Sequence, residues 1–331
     1  MTAATVGDLG ERALIERIAG RLPAAPPWVF VGLGDDAAVV EPDRNRLDVL
    51  SADSLVEGVH FDRRYVTSDT IGYKALAVNL SDLAAMGASP RAALLSLGLP
   101  PALLLDDLDA LVGGLLALAA RHAVSLVGGN IARSPGPLFV DLTVLGSVHR
   151  RRVLRRSGAR PGDGLYVSGM IGSAAAGFQA LAAGRGAESG DCAARFLRPE
   201  PRVRLGLLAG RNQTASACVD LSDGLADGLR QIAAASDVGI EVDGASVPMD
   251  AAARRWFDQQ GLDPVAAALA GGEDYELLFT VPPRKRRAFE AIVRMAQVPC
   301  TRIGQITPGP GLVLRQAGVT GAIPGGFVHF R

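Results

Sequence analysis

Five aspartates, Asp36, Asp53, Asp82, Asp220 and Asp223, stand in short glycine- and serine-studded stretches scattered along the chain. These are Gly34-Asp35-Asp36-Ala37-Ala38, Ser51-Ala52-Asp53-Ser54, Asn79-Leu80-Ser81-Asp82-Leu83 and Asp220-Leu221-Ser222-Asp223-Gly224. Each follows or borders an apolar run that reads as a strand or a buried helix start. Carboxylates gathered by a fold repel one another unless a cation sits among them, so the pattern restricts the chain to scaffolds that supply one. Carboxylate and hydroxyl oxygens suit a hard divalent ion, magnesium rather than zinc.

A length of 331 residues favours two domains, and 48% hydrophobic residues are ample for a core in each. Lys plus Arg and Asp plus Glu are equal at 34 each, so no global field draws the protein to nucleic acid or to an anionic membrane. Any anion must then be bound by a local device. Cys192, Cys218 and Cys300 are isolated thiols without a C-x-x-C pair, which disfavours a disulfide framework and a zinc site and fits a reducing cytoplasm. Residues 1–20 carry Asp8, Glu11, Arg12, Glu16 and Arg17 and lack an apolar signal core. The most membrane-like stretch, 103–120, contains Asp106, Asp107 and Asp109 and reads as an amphipathic helix.

Helical spacing over 9–18 ends at Pro23, Pro26 and Pro27. Strands are expected at 29–31, 38–40, 49–51, 92–99, 125–127 and 138–148, with helices at 71–86 and 103–123. An arginine-rich connector (Arg150, Arg151, Arg152, Arg155, Arg156, Arg160) and the turn Pro161-Gly162-Asp163-Gly164 then place a domain boundary, giving 1–149 and 150–331. Beyond it, strands are expected at 165–168, 239–242, 276–281 and 312–314, and helices at 173–183, 201–210 and 226–235. The fold class is α/β with mixed sheets. Val78 to Gly87 and Val219 to Gly228 share six of ten positions, which suggests that both halves use a strand-to-helix junction capped by Ser or Asp.

Gly32-x-Gly34-x-x-Ala37 formally matches a dinucleotide fingerprint, but Asp35 and Asp36 would set two negative charges against a pyrophosphate. No Walker loop or kinase catalytic-loop signature occurs, so a phosphoryl-transfer enzyme here needs another architecture. Gly128-Gly129-Asn130 follows Ser125-Leu126-Val127, and glycine amides at that strand end would either meet phosphate oxygens or form a simple tight turn. The arginine connector reads as a solvated face or a phosphate clamp ahead of a nucleic-acid patch. His60 is the histidine nearest an acidic motif, either touching a ligand or sitting as a hydrogen-bonded ring. Gly271-Gly272-Glu273-Asp274-Tyr275-Glu276 sets three acids before the apolar run 277–281, an arrangement expected to need a ligand to satisfy them. The tail, 324–330, is either a frayed terminus or an aromatic flap.

Together, Gly-Asp-Asp-Ala-Ala at 34–38, Tyr73 through Gly87, Asp220-Leu221-Ser222-Asp223-Gly224-Leu225 and Gly271-Gly272-Glu273-Asp274-Tyr275-Glu276-Leu277 resemble the thiamine-monophosphate kinase family. That family belongs to a superfamily with aminoimidazole ribonucleotide synthetase, selenophosphate synthetase and a hydrogenase-maturation protein. The resemblance runs from the first helix to the aromatic tail. It implies ATP-dependent phosphorylation of thiamine monophosphate to thiamine diphosphate by direct in-line transfer with several Mg2+ ions. It also implies a two-domain aminoimidazole ribonucleotide synthetase-like fold and a homodimer whose N-terminal, metal- and ATP-binding domains join their sheets into a β-barrel. By the same resemblance Asp36, Ser51, Asp53, Asp82, Asn130, Asp220 and Asp223 would hold metal, with Ala52 contributing through its backbone. Gly129, Asn130, Arg156 and Ser222 would contact ATP, and His60, Glu273 and Phe327 the thiamine phosphate.

Two positions depart from the family pattern: Asn130 stands where Asp is usual and Ala52 where a hydroxyl residue is usual. Both would fall on one ion, which would bind more weakly or keep more water. No general base is required, because the acceptor is a phosphate oxygen already largely ionised near neutral pH. Two other readings remain: an ATP-dependent synthetase of the same superfamily, and a non-catalytic nucleotide or thiamine-phosphate binding protein. Neither a reactive N-terminal cysteine loop nor a C-terminal cysteine supports the first, and only Asn130 and Ala52 support the second.

Overall fold

The computed structural model describes residues 4–34, 36–316 and 318–326. Its first part runs α1 (Glu11–Ala19), β1 (Val29–Val31), β2 (Val39–Val40), β3 (Leu47–Val56), α2 (Ser68–Ala85), β4 (Ser89–Leu99), α3 (Leu105–His122), β5 (Ser125–Arg133) and β6 (Phe139–Val148). The second part runs β7 (Gly164–Ser168), α4 (Ser173–Ala182), α5 (Cys192–Leu197), α6 (Val203–Asn212), β8 (Ala217–Asp220), α7 (Leu225–Ser236), β9 (Gly239–Asp243), α8 (Ala251–Gln259) and α9 (Pro264–Ala270). It closes with β10 (Leu277–Val281), α10 (Arg286–Ala296), β11 (Cys300–Thr307), β12 (Leu312–Gln316) and β13 (Val319–Ala322). Two compact units emerge, 1–80 with 89–149, and 81–88 with 150–331. No helix among the described residues is long and apolar enough to cross a membrane.

In the first unit four strands lie in the order β3-β6-β4-β5, with only β4 and β5 parallel. Alternation along the strands buries one face, where Leu55, Leu95, Leu97, Val140, Leu142 and Val144 are almost wholly covered. The register sets Asp53 opposite Leu142 and Ser51 opposite Val144, so both point to this buried face, while Ala52 and Ser54 point to the other. Leu50 and Leu94 lie on that second face and stay exposed. The sheet is open, with β3 and β5 as its edges.

Gly128-Gly129-Asn130, expected at the end of a strand over 125–127, instead lies inside β5. The register with β4 slips between Ala93 and Leu94, where Val127 is the extra residue of a bulge, and pairing then continues to Arg133. A Cβ on Gly129 would stand 1.8 Å from the Leu95 carbonyl oxygen, so glycine here permits close strand approach rather than a turn.

The repeated motif also has two different structures. Val78 to Gly87 runs through the last turns of α2 and just past its end, whereas its counterpart passes from β8 through a turn into α7. Alanines and leucines in the first copy extend a buried helix. Gly224 in the second has φ +96 and caps α7 without a side-chain hydrogen bond, so neither copy is the expected capped junction.

The second unit is a seven-stranded sheet, β13-β12-β9-β11-β7-β10-β8, antiparallel except between β12 and β9. Strands β7, β8 and β10 are buried along their whole length because helices cover both faces. On one face Phe289 of α10 packs between Tyr166 and Phe279, with ring centroids 5.1 and 5.3 Å away. On the other, Leu165, Val167, Val219 and Leu278 pack with side chains of α4, α7, α8 and α9.

Candidate functional site

Three groups of the expected site residues are placed by these elements, each within one unit. In the first unit the loop between β1 and β2 carries Gly34 and the exposed Asp36. Together with Gly129 and Asn130 of β5, Ser96 of β4 and Thr143 of β6, it lines a cavity of about 760 Å3. Cross-strand pairing sets Ser54, Asp141, Ser96 and Asn130 in one row, and the Ser54 hydroxyl donates to Asp141 at 2.6 Å. Asn130 and Ala52 therefore share a face. They sit on opposite edge strands, three strand spacings apart, on the order of 10 Å or more. One ion cannot touch both within a protomer, so a single site weakened by both departures would have to draw them from two copies of the chain.

The second group lies along β3 and the turn after it. Ser51 and the partly buried Asp53 share the inner face of this edge strand. The turn beyond it folds back so that His60 Nδ1 accepts the Val56 amide at 3.1 Å. That bond leaves the imidazole proton on Nε2 when the ring is neutral. His60 is thus a hydrogen-bonded ring, partly exposed.

The third group belongs to the second unit. Asp220 ends β8 and is only 6% exposed. The Ser81 hydroxyl donates to its Oδ2 at 2.8 Å. Burial first, and then the charge of Asp82, push this carboxyl up to about 7, while Ser81 and the Arg156 guanidinium act in the opposite direction. Two acids and one arginine thus share one region at the end of β8. Ser222 and Asp223 follow in the turn, and the Ser222 carbonyl accepts the Glu273 amide at 2.6 Å. Leu277 pairs with Asp220, so the Gly271–Glu276 loop enters β10 beside the end of β8.

The acids of that loop were expected to need a ligand, and two do not. The Asp274 carboxylate accepts the amides of Gly172 and Ala174 at the start of α4, at 2.7 and 3.0 Å. Burial nevertheless pushes it up to about 7. Glu276 is clasped by both arms of Arg202 and by the Ser168 hydroxyl. The loop's third acid, Glu273, is tied through its backbone amide to the Ser222 carbonyl. Ser81 was missed as the partner of Asp220, and Arg202 as the partner of Glu276. Ser81 was legible beside Asp82, but Arg202 lies 74 residues from Glu276, with no local signal. Phe327 lies outside the described residues.

Among the described residues no three His, Cys, Asp or Glu side chains are already gathered into a metal cage. The donors present are nevertheless carboxylate, hydroxyl and amide oxygens. Magnesium is commonly held through one or two carboxylates, with water and substrate phosphates completing its shell, so the Asp82 and Asp220 pair fits such an ion.

Residues 34–148 match the AIR synthase related protein, N-terminal domain, family, and residues 160–316 the corresponding C-terminal domain family. The thiamine-monophosphate kinase of Salmonella typhimurium (strain LT2) is 41% identical over 305 residues, covering 90% of each chain. The crystal structure of the thiamine-monophosphate kinase from Stenotrophomonas maltophilia K279a superimposes with a TM-score of 0.83 at 40% identity, over 94% of this chain and 98% of that one. A further structure, AaThiL complexed with AMPPCP and TMP, gives a TM-score of 0.77 at 32% identity over 100% of both chains.

Proposed function

This chain belongs to the thiamine-monophosphate kinase family, and from that premise we propose that it transfers the γ-phosphoryl group of ATP to thiamine monophosphate, yielding thiamine diphosphate and ADP. The observation that carries the reading is the buried Asp220 at the end of β8, held by Ser81 and set beside Asp82 and Arg156. The relative bound to AMPPCP and TMP, similar along the whole chain, supports the same pair of substrates.

Asp36, Ser51, Asp53, Asp82, Asn130, Asp220 and Asp223 are the residues that would hold magnesium, with Ala52 offering its backbone carbonyl. Bound magnesium would neutralise charge on the phosphates of donor and acceptor. The protein's own part is positioning. Gly129 and Asn130, in the cavity beneath the Gly34–Asp36 loop, and Ser222 bind ATP, and Arg156 adds a planar cationic fork for phosphate oxygens. His60, Glu273 and Phe327 hold thiamine monophosphate. No side chain need remove a proton, since the attacking phosphate oxygen is already ionised.

A homodimer is part of the proposal, with the first unit's sheets joined into a barrel. The open edges β3 and β5, exposed Leu50 and Leu94 on one face, and the separation of Ala52 from Asn130 all support it. Three thiols without disulfides, two of them buried, are consistent with a cytoplasmic enzyme. The test is an assay of purified protein with ATP, magnesium and thiamine monophosphate. Formation of thiamine diphosphate with equal ADP is expected, and its absence would sink the reading. Light scattering checks the dimer.

A further inference from the structure

Seven non-glycine residues among those described have positive φ. Ala123, Gln213, Asp237 and Gln297 close helices α3, α6, α7 and α10, and Asn45 sits in a turn. These are ordinary places for a left-handed residue. Glu273 (φ 69) and Tyr275 (φ 48) are different, because they flank Asp274 in the loop between α9 and β10 and neither is itself the residue that closes a helix. Two such residues so close together persist only where their surroundings hold them, and strain of this kind gathers at functional sites.

The surroundings can be named. Glu273 N–H donates to the Ser222 carbonyl at 2.6 Å and Tyr275 N–H to the Leu221 carbonyl at 3.0 Å, while Leu221 N–H donates back to Glu276 at 2.9 Å. Between the two left-handed residues, the Asp274 carboxylate reaches the opposite way and bridges the first amides of α4. Packing is tight enough that a Cβ on Gly272 would stand 2.6 Å from the Ser222 oxygen. The loop is thus tied on one side to the segment of Ser222 and Asp223, and on the other to a helix end.

We propose that Asp274 is a positioning residue for Glu273: by fastening the loop to α4 it fixes the left-handed backbone at 273 and so aims the Glu273 carboxylate at the acceptor, thiamine monophosphate. The inference rests on the assignment of Glu273 to that substrate. Releasing Asp274 lets residue 273 return to an extended or right-handed backbone, which turns its side chain away. Affinity for the acceptor then falls, while ATP binding is little changed.

Steady-state kinetics of Asp274→Asn, Asp274→Ser, Glu273→Gln and the Asp274→Asn/Glu273→Gln double variant test this. An asparagine oxygen satisfies one α4 amide and sets its NH2 against the other. The expected result is a KM for thiamine monophosphate raised about tenfold in both Asp274 variants, with the KM for ATP and kcat within about threefold of the parent. The double variant should be no worse than Glu273→Gln alone, because the two residues act through one contact. Unchanged acceptor KM in both variants, or penalties that multiply in the double variant, would overturn the proposal. So would failure of both Asp274 variants to fold, judged by thermal unfolding, since Asp274 would then be a structural residue only. An inactive parent enzyme would instead overturn the kinase reading.

Discussion

Arg202 and Glu276 form a two-pronged ion pair almost closed off from water, with 11% and 3% of their side chains exposed. Nε of Arg202 lies 2.6 Å from Oε2 of Glu276, and the Ser168 hydroxyl donates to the same oxygen at 2.5 Å. Ser168 Oγ in turn accepts the Leu277 amide at 2.8 Å, so the pair fixes the point where the Gly271–Glu276 loop becomes β10.

Removing one partner leaves an uncompensated buried charge. Arg202→Met should therefore destabilise the protein by about 3–5 kcal/mol in urea or thermal unfolding. Adding Glu276→Leu should recover much of that loss. If the double variant were no more stable than Arg202→Met, the buried charge would not be the cause.

The pH dependence of stability should report Asp220. Its carboxyl is raised from 3.8 to about 7, so it stabilises the fold fully below its unfolded value, and this contribution disappears as pH rises through about 7. Magnesium binds the ionised form, so it should raise Tm more at pH 8 than at pH 6. Thermal melts with and without magnesium at the two pH values check this. Equal shifts would argue against Asp220 as a ligand, as would an Asp220→Asn variant that keeps the pH-dependent shift.

In the proposed site Asn130 would offer magnesium an amide oxygen where the family pattern is expected to have a carboxylate. Asn130→Asp should change kcat by less than about tenfold and lower the magnesium concentration for half-maximal activity, because a carboxylate adds charge to an oxygen ligand set. A very large gain from near-zero activity would identify the parent chain as a degenerate, non-catalytic binder.

Gly129→Ala tests the closeness of β5 to β4. The new methyl would lie 1.8 Å from the Leu95 carbonyl, a backbone atom that cannot move aside cheaply. A loss of at least about 2 kcal/mol is expected in unfolding, with weaker ATP binding, because the cavity wall must shift. Gly136→Ala, where no atom lies within 4 Å, is the control and should be nearly neutral.

Local pattern was enough for most elements. The long apolar periods of α2 and α3 and the alternation of β4 and β6 locate these elements within a few residues. Where glycine was the signal, the reading failed. Gly128-Gly129 looked like the end of a strand because glycine has no intrinsic preference for continuing one, yet β5 runs on because β4 lies too close for any side chain there. The echo between residues 78–87 and 219–228 misled for a related reason. Similar letters became helix in one place and a strand, turn and helix in the other, since the neighbours to be packed against differ.

The sequence by itself determined the family, the two-part α/β organisation and the identity of the acids, because motif order and hydrophobic period are local properties written residue by residue. Only the tertiary structure decided how those acids are used. It placed Asp220 where burial raises its carboxyl, spent Asp274 on a helix end and Glu276 on Arg202, and put Ala52 and Asn130 on opposite edges of one sheet. Such roles depend on dehydration and on partners tens of residues away, and neither is encoded in any short window of the chain.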